Sequence, residues 1–172
     1  VLLNAGRAAA AGTATGGNIT VADGATVTAG GGGSVRLLSG SVTGSTGLTG
    51  LIGTGSGRFR YNSDETVTNY TTALPAGEPG AIYREAVLVS GAIDNNTVTY
   101  GDATPVFTMS GGSGPMNGDD LFEILSPQLS GAALLRVGSY SVSIGDFEGL
   151  GYTLGSITNG TLSVGRKALT IS

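Results

Sequence analysis

The chain contains no cysteine and no histidine among its 172 residues, and only 12% of its residues are charged. Without cysteine there is no disulfide framework and no thiol nucleophile, and without histidine the commonest general base and zinc ligand are missing. Hydroxyls, carboxylates, tyrosines and a single lysine are what remains for chemistry. We therefore expect a protein that is not an enzyme and that uses no cofactor.

Basic residues are also sparse, and they are not clustered. Residues 1–62 carry 4 arginines against 1 aspartate, a net charge of +3, whereas residues 63–172 carry 4 basic and 11 acidic side chains, a net charge of −7. Neither part has the concentrated basic face that binds a phosphate backbone, and no apolar run approaches the roughly 18 residues that span a bilayer. We expect neither nucleic acid as a partner nor insertion into a membrane, and the change in charge predicts a boundary near residue 62.

Glycine is abundant, with 32 residues, and in the first part of the chain it separates short strand patterns. Apolar and polar residues alternate through residues 18–29, on both sides of an Asp23-Gly24 turn. Two further strands are predicted at residues 34–38 and 41–43, after glycine-containing corners. The first part is therefore predicted to consist of strands only three to five residues long.

Two architectures fit short strands joined by tight corners: a meander of hairpins, and a parallel β-helix whose coils stack about 4.8 Å apart. Small aliphatic residues such as Ala25 and Val27 suit the interior of a β-helix, and outward Ser and Thr can form ladders, so we favour the β-helix. The glycine run at residues 30–33 also fits a flexible linker. The chain starts without Met and in mid-pattern, so we expect it to be part of something longer.

Residues 58–84 mark the change from the first pattern to a second one. Phe59 and Tyr61 alternate with Arg58 and Arg60, which predicts a strand with an aromatic face and a cationic face. We expect the two rings to cap the last coil while the arginines stay in solvent. The alternative is a ligand surface on which the rings stack against a sugar or bind a cation.

A link rich in proline and glycine, at residues 75–80, leads to the second segment, and two prolines make it stiffer than a Gly/Ser tether. Strands are predicted at residues 86–90, 96–100, 106–109, 140–144, 152–156, 160–164 and 168–171. One short helix is predicted at residues 119–125, with Asn117 or Asp119 capping its first turn. The predicted core of this mostly β domain contains Val98, Phe107, Leu121, Ile124, Val142, Ile144, Tyr152, Leu154, Leu162 and Val164.

The best local group of oxygen ligands for a hard cation is Asn117, Asp119 and Asp120, with Glu123 nearby. Their spacing is not that of an EF-hand loop, and acidic residues at a helix start are explained by the helix dipole. We therefore predict no metal site and keep these three residues as weak candidates. No phosphate loop, nucleophile elbow or paired carboxylates in a defined scaffold occur in the sequence.

Five strings in the first 85 residues resemble the last coils of large filamentous-haemagglutinin-type adhesins, which two-partner secretion exports. They are NAGRAAA (4–10), GGNITVADGATV (16–27), TGLTGLIGTGSGRFRYNSDE (46–65), NYTTAL (69–74) and AIYRE (81–85). The third string is the most specific. The resemblance implies that these residues close a right-handed β-helical shaft.

The second segment is similar to the small tandem repeats called mostly-β-grasp or YDG-type domains of bacterial surface adhesins. The resemblance rests on TYGDATPVF (99–107), NGD (117–119), VGSY (137–140) and NGTLSVGRKALTI (159–171). It implies a β-grasp-like fold and a role as a spacer between modules. RKALTIS also resembles the opening strand of a following copy.

Together these observations predict a mostly β chain: the end of a right-handed parallel β-helix followed by a small β-grasp-like domain. The predicted division is residues 1–62 for terminal coils, 63–84 for a cap and connector, 85–165 for the mostly-β-grasp domain, and 166–172 for a linker or following strand. We expect a secreted or cell-surface location. We expect the flanking domains of a longer chain as partners, and possible further partners are host or matrix glycans or neighbouring copies.

The expected function is that of a structural shaft and spacer in a bacterial adhesin involved in adhesion or biofilm formation. One alternative is a self-assembling extracellular filament, in which a terminal strand adds to a neighbouring copy. That strand would consist of Ala168, Leu169, Thr170 and Ile171. The other alternative is a carbohydrate-binding module that uses Phe59, Tyr61, Tyr70 and Tyr83.

Overall fold

The computed structural model describes residues 1–130, 135–145, 147 and 149–169, and over these residues the chain is mostly β. The strands are β1 (Leu2–Asn4), β2 (Val35–Ser39), β3 (Phe59–Arg60), β4 (Pro79–Tyr83), β5 (Leu88–Ile93), β6 (Asn96–Thr99), β7 (Met109–Ser113), β8 (Pro127–Leu129), β9 (Gly138–Ile144), β10 (Thr153–Thr158) and β11 (Gly160–Gly165). The helices are α1 (Leu48–Ile52) and α2 (Leu121–Leu125). The predicted fold class, mostly β, is confirmed at this level.

The first four strands form one sheet in the order β1-β2-β4-β3, and every pairing in it is parallel. Leu37 of β2 lies opposite Leu3 of β1 on one side and Ala81 of β4 on the other, and Ala81 also faces Phe59 of β3. Parallel partners need long connections between them. The meander of hairpins is therefore wrong for this sheet, since a meander pairs its strands antiparallel.

The connection from β1 to β2 and the connection from β2 to β3 also make a parallel contact with each other. Thr20 and Thr46 form an isolated parallel bridge, and Val21 N–H donates to the Thr46 carbonyl at 2.9 Å. The predicted Asp23-Gly24 turn is present, and Gly24 has a φ of 74°. The strand predicted at residues 41–43 is wrong, because these residues begin a turn, and the strand predicted at residues 18–29 is reduced to the bridge at Thr20, with turns and irregular backbone around it.

The strand order departs from the order along the chain, because β4 lies between β2 and β3. Residues 63–84 were predicted to be a cap and connector, but they contribute β4 to the middle of the first sheet. Gly80 permits this insertion: a Cβ atom there would lie 3.0 Å from a Leu74 methyl group and 3.3 Å from the Arg58 carbonyl oxygen. The link at residues 75–80 is thus the entry to a central strand.

The second segment is built around two long parallel pairs. Strand β5 pairs with β10 and β6 pairs with β11, both parallel, while β7 lies antiparallel to β5, and β9 lies antiparallel to both β11 and β8. Of the ten predicted core residues, Phe107, Ile124, Val142, Tyr152, Leu162 and Val164 are buried. Leu154 is 43% exposed, because it lies on the outward face of the edge strand β10.

Both helices are five residues long, and only α2 was predicted. Asp120 caps it, since its carboxylate accepts from Phe122 N–H at 2.7 Å and from Glu123 N–H at 3.3 Å. The cap is therefore neither Asn117 nor Asp119. In the part of the chain that the structure describes, no helix has the length and apolar character needed to cross a membrane.

Candidate functional site at the junction of the two segments

The two segments share one hydrophobic core, and a row of aromatic rings crosses the boundary between them. Phe59 of β3 stacks with Tyr83 of β4 at a centroid distance of 6.3 Å, and Tyr83 stacks with Tyr61 at 5.7 Å. Tyr61 then meets Tyr152, just before β10, at 4.2 Å and an interplanar angle of 33°. Buried rings at such distances stabilise each other beyond the area that they bury, so the row ties the parallel sheet to the second segment.

Asp119 binds the hydroxyl groups of two tyrosines in this row. Its Oδ2 accepts hydrogen bonds from the Tyr61 hydroxyl at 3.0 Å and from the Tyr152 hydroxyl at 2.7 Å. Asn117 Nδ2 donates to the Tyr61 oxygen, and Met116 N–H donates to the Tyr152 oxygen, both at 3.0 Å. Each buried hydroxyl thus has both a donor and an acceptor. Satisfied networks of this kind favour one arrangement of their members.

Burial sets the protonation states of these groups. It raises the pKa of Tyr61 and of Tyr152, so both hydroxyls stay protonated and donate to Asp119. Burial also raises the pKa of Tyr83 to about 12. For Asp119 burial again dominates and raises the pKa, although the tyrosine hydrogen bonds and the positive charge of Arg60 act in the opposite direction.

Backbone contacts join the same two segments. Tyr61 N–H donates to the Leu150 carbonyl at 3.0 Å, and the Gly149 carbonyl accepts from Thr71 N–H at 2.9 Å. Gly151 has a φ of 92°, and a Cβ atom at this position would lie 2.1 Å from the Tyr61 carbonyl oxygen. Only glycine fits there without movement of the backbone, so the close approach depends on this residue.

Arg60 lies inside the protein and is 1% exposed. Its guanidinium donates to four backbone carbonyl oxygens, those of Gly57, Phe59, Thr72 and Ala73, at 2.6 to 3.0 Å. Burial lowers its pKa. The expectation that the arginines stay in solvent is therefore wrong for Arg60, which holds the strap at residues 61–78 against β3.

The predicted ligand surface is also inside the structure. Phe59 and Tyr61 are fully buried, and Arg58 is partly covered and bonds to Glu78 and to the Ile52 carbonyl. Tyr83, another ring proposed for sugar stacking, is 1% exposed. These rings do not form an open stacking platform, because they lie within the core that the two segments share.

Arg84 was not singled out in the sequence, yet it is fully buried at the end of the first segment, directly after β4. Its Nη2 donates to Asn4 Oδ1 and lies 3.9 Å from Glu65 Oε2, whereas Nε and Nη1 have no hydrogen-bond partner among the described atoms. Glu65 also accepts from Ala8 N–H at 2.7 Å. No local pattern marks such a residue, because its partners lie far away along the chain.

The weak metal candidates have other roles. Asp119 accepts from two tyrosines, Asn117 donates to Tyr61, and Asp120 caps α2. Among residues 1–130, 135–145, 147 and 149–169, no group of three or more His, Cys, Asp or Glu side chains has a geometry that could hold a metal ion. In the predicted terminal strand, Ala168 and Leu169 are exposed and outside any strand, while Thr170 and Ile171 lie outside the described residues.

The fold and the junction define a mostly β protein in which an all-parallel sheet and a second β unit with parallel and antiparallel pairs share a core. Residues 88–163 match the family model of the MBG domain (YGX type). No curated protein and no solved structure matches the chain. The match begins at β5 and ends within β11, so it covers the unit with the two parallel strand pairs. The predicted MBG-like β domain is confirmed over this range.

Proposed function

We propose that the chain is a structural shaft and spacer segment of a secreted or surface-anchored bacterial adhesin. The match at residues 88–163 supports this proposal, because MBG domains are found in surface adhesin-like proteins. In this proposal the first 84 residues are the end of a β-helical shaft of the filamentous-haemagglutinin type. The all-parallel order of β1, β2, β4 and β3 supports that part.

The observation that carries the mechanical role is the parallel pairing of the first two strands of the second segment with its last two, β5 with β10 and β6 with β11. Leu88, the first residue of β5, pairs with Thr153, and Gly165, the last residue of β11, pairs with Thr99. Tension along the chain enters at Leu88, at the start of β5, and leaves at Gly165, at the end of β11. Such tension shears the strands past each other, so the ladder hydrogen bonds carry the load together and do not open one after another.

The junction extends this resistance into the first segment. The row from Phe59 to Tyr152 and the bond from Tyr61 N–H to the Leu150 carbonyl connect the parallel sheet with the strand before β10. A spacer in an adhesin needs a defined length and direction, which a stiff junction provides better than a flexible tether. The proposed partners are therefore the neighbouring domains of a longer chain.

The test is to stretch the chain with optical tweezers in two geometries. Because the sequence has no cysteine, introduced cysteines give unique attachment points. Terminal attachment shears β5–β6 against β10–β11. Attachment through Asp102→Cys and Arg166→Cys pulls on neighbouring ends of β6 and β11 and peels them apart. We expect the unfolding force of the matched unit to be several-fold higher in the first geometry, and equal forces would contradict the proposed role.

A display experiment tests the assignment to adhesins. The chain is placed on a bacterial surface between an anchor and a known binding tip, and a Gly/Ser linker of equal length is the control. A spacer should increase the adhesion of the tip relative to the linker and show no binding on a glycan array by itself. Specific glycan binding by the chain without the tip would instead favour the carbohydrate-binding alternative.

A further inference from the structure

An apolar groove on the second segment is exposed to solvent. It has a volume of about 550 Å³ and lies between residues 106–109, which lead into β7, and the first turn of α2. Val106 on one wall is 81% exposed, and Phe122 on the other wall is 40% exposed. Strand β7 is the last strand of its sheet among the described residues. We call this surface the β7 groove.

The β7 groove has an acidic rim. Asp120 and Glu123 line it beside the apolar wall, and both side chains are exposed. Asp120 uses Oδ1 for the cap of α2, while the Glu123 carboxylate has no bonding partner in the described part of the chain. An occupant that matches this groove presents an apolar side chain close to a positive charge, since such a segment fills the groove and pairs with its rim.

The chain itself carries a segment of this kind at residues 165–169, which we call the basic segment. Arg166 and Lys167 are the only two adjacent basic residues in the sequence, and Leu169, two positions after Lys167, is 86% exposed. Neither cation has a hydrogen-bond or ion-pair partner among the described residues. In an extended chain residues two positions apart share a face, about 7 Å apart, so Lys167 and Leu169 would point in the same direction once the basic segment docks in an extended form.

We propose that the basic segment of one copy of this chain docks in the β7 groove of a second copy. Leu169 enters between Val106 and Phe122, and Lys167 pairs with Glu123 on the rim. The segment and the groove are different surfaces, so each copy keeps one of each for a further neighbour. A contact of this heterologous type produces head-to-tail chains or rings. The proposal goes beyond a spacer role, because it makes the segment after β11 a determinant of assembly.

Site-directed cross-linking is the first test, and the absence of native cysteine makes it specific. The variants Val106→Cys and Leu169→Cys are purified separately, mixed and oxidised. We expect the mixed disulfide dimer to form several-fold faster than in a control mixture of Val67→Cys with Leu169→Cys, where Val67 is another exposed apolar residue, at 44% exposure. Equal rates in the two mixtures would overturn the proposal.

Charge exchange is the second test, read by sedimentation velocity over a range of concentrations. Lys167→Glu and Glu123→Lys should each reduce self-association, and an equimolar mixture of the two variants should restore pairing between unlike copies. Raising the ionic strength from about 0.1 M to about 1 M shortens the Debye length from about 10 Å to about 3 Å and should weaken the wild-type assembly. Arg136→Glu, a change of the same charge at another position, should leave assembly unaltered.

Circular dichroism of each variant separates loss of assembly from loss of fold. A wild-type chain that stays monomeric at every concentration and ionic strength would refute the contact. So would a mixture of the two charge variants that associates no better than either variant alone. Restoration by the mixture, together with the fast Val106–Leu169 cross-link, would establish it.

Discussion

Replacing Asp119 by alanine removes the carboxylate that accepts hydrogen bonds from two buried tyrosines. A buried donor that loses a charged acceptor costs about 1.5 to 3 kcal/mol. Both tyrosine hydroxyls can still donate a longer hydrogen bond to the Met116 carbonyl oxygen, which lies 3.2 Å from the Tyr61 oxygen and 3.4 Å from the Tyr152 oxygen. This single oxygen replaces part of the loss, so we expect Asp119→Ala to lower the free energy of unfolding by about 2 to 3 kcal/mol.

Urea unfolding is the appropriate measurement, followed by tyrosine fluorescence and by circular dichroism. The chain has 6 tyrosines and no tryptophan, so its emission reports directly on rings such as Tyr61 and Tyr152. Combining Asp119→Ala with Tyr152→Phe in a double-mutant cycle should give a coupling energy of about 1 to 2 kcal/mol. Asp23→Asn, on an exposed turn, is the control and should stay within about 0.5 kcal/mol of wild type.

The pH dependence adds a second readout with a defined sign. Burial raises the pKa of Asp119 in the folded state, so its protonation stabilises the fold at low pH, and this contribution is lost as the pH rises through the folded pKa. Asp119→Asn keeps one neutral acceptor and cannot titrate. Its loss of stability should be about 1 kcal/mol near neutral pH and should grow on acidification.

An Asp119→Ala variant within about 0.5 kcal/mol of wild type would refute the role of the network. A difference between wild type and Asp119→Asn that does not change with pH would refute the contribution of burial. A third unfavourable result is a pair of separate unfolding transitions in the wild type, because a core shared by the two segments predicts one transition.

Three further changes test individual contacts. Asp120→Ala should destabilise the protein by about 1 kcal/mol through loss of the α2 cap, whereas Asp120→Ser should retain most of it; thermal unfolding compares them. Gly151→Ala should lower the free energy of unfolding by at least about 2 kcal/mol in urea, because the new Cβ atom meets the Tyr61 carbonyl and φ is positive. The control Gly77→Ala also has a positive φ but faces open space, so it should cost only about 1 kcal/mol. Hydrogen bonds from backbone N–H groups lower the pKa of Asp64, so its contribution is present above about pH 4 and lost on further acidification; Asp64→Asn should flatten acid unfolding, and an unchanged acid limb would contradict this.

Local patterns predicted the second segment well because its strands alternate in the usual way. Strands β6, β9 and β11 begin within two residues of their predicted starts, and α2 follows the predicted acidic cap region. The strand predicted at residues 106–109 overlaps β7 only at Met109, because the apolar residues before it line an open groove. Helix α1 was not predicted, because the glycine-rich sequence TGLTGLIGTG is typical of a loop. Only the burial of Leu48 and Ile52 in the core favours a helix there.

The candidate site depended on contacts that no local pattern contains. Asp119 meets Tyr61 across 58 positions and Tyr152 across 33, and neither spacing has a characteristic periodicity. The alternation at residues 58–61 predicted a strand with two different faces, and we expected the face that carries Arg60 to be exposed to solvent. That face is covered by the strap, whose backbone carbonyls satisfy the guanidinium. Carbonyl oxygens occur at every residue, so sequence gives no sign of where they converge.

The position of β4 between β2 and β3 determines the order in which the first sheet can be completed. As the chain emerges from its N-terminal side, β3 appears before β4, yet β3 has no strand partner except β4 among the described residues. Phe59 and Arg60 must therefore wait until residues 79–83 are available, and the sheet cannot grow by adding strands one by one. A chain that ended before residue 79 would leave β2 without its β4 partner and β3 without any strand partner, so the last strand to appear is the one that unites the sheet.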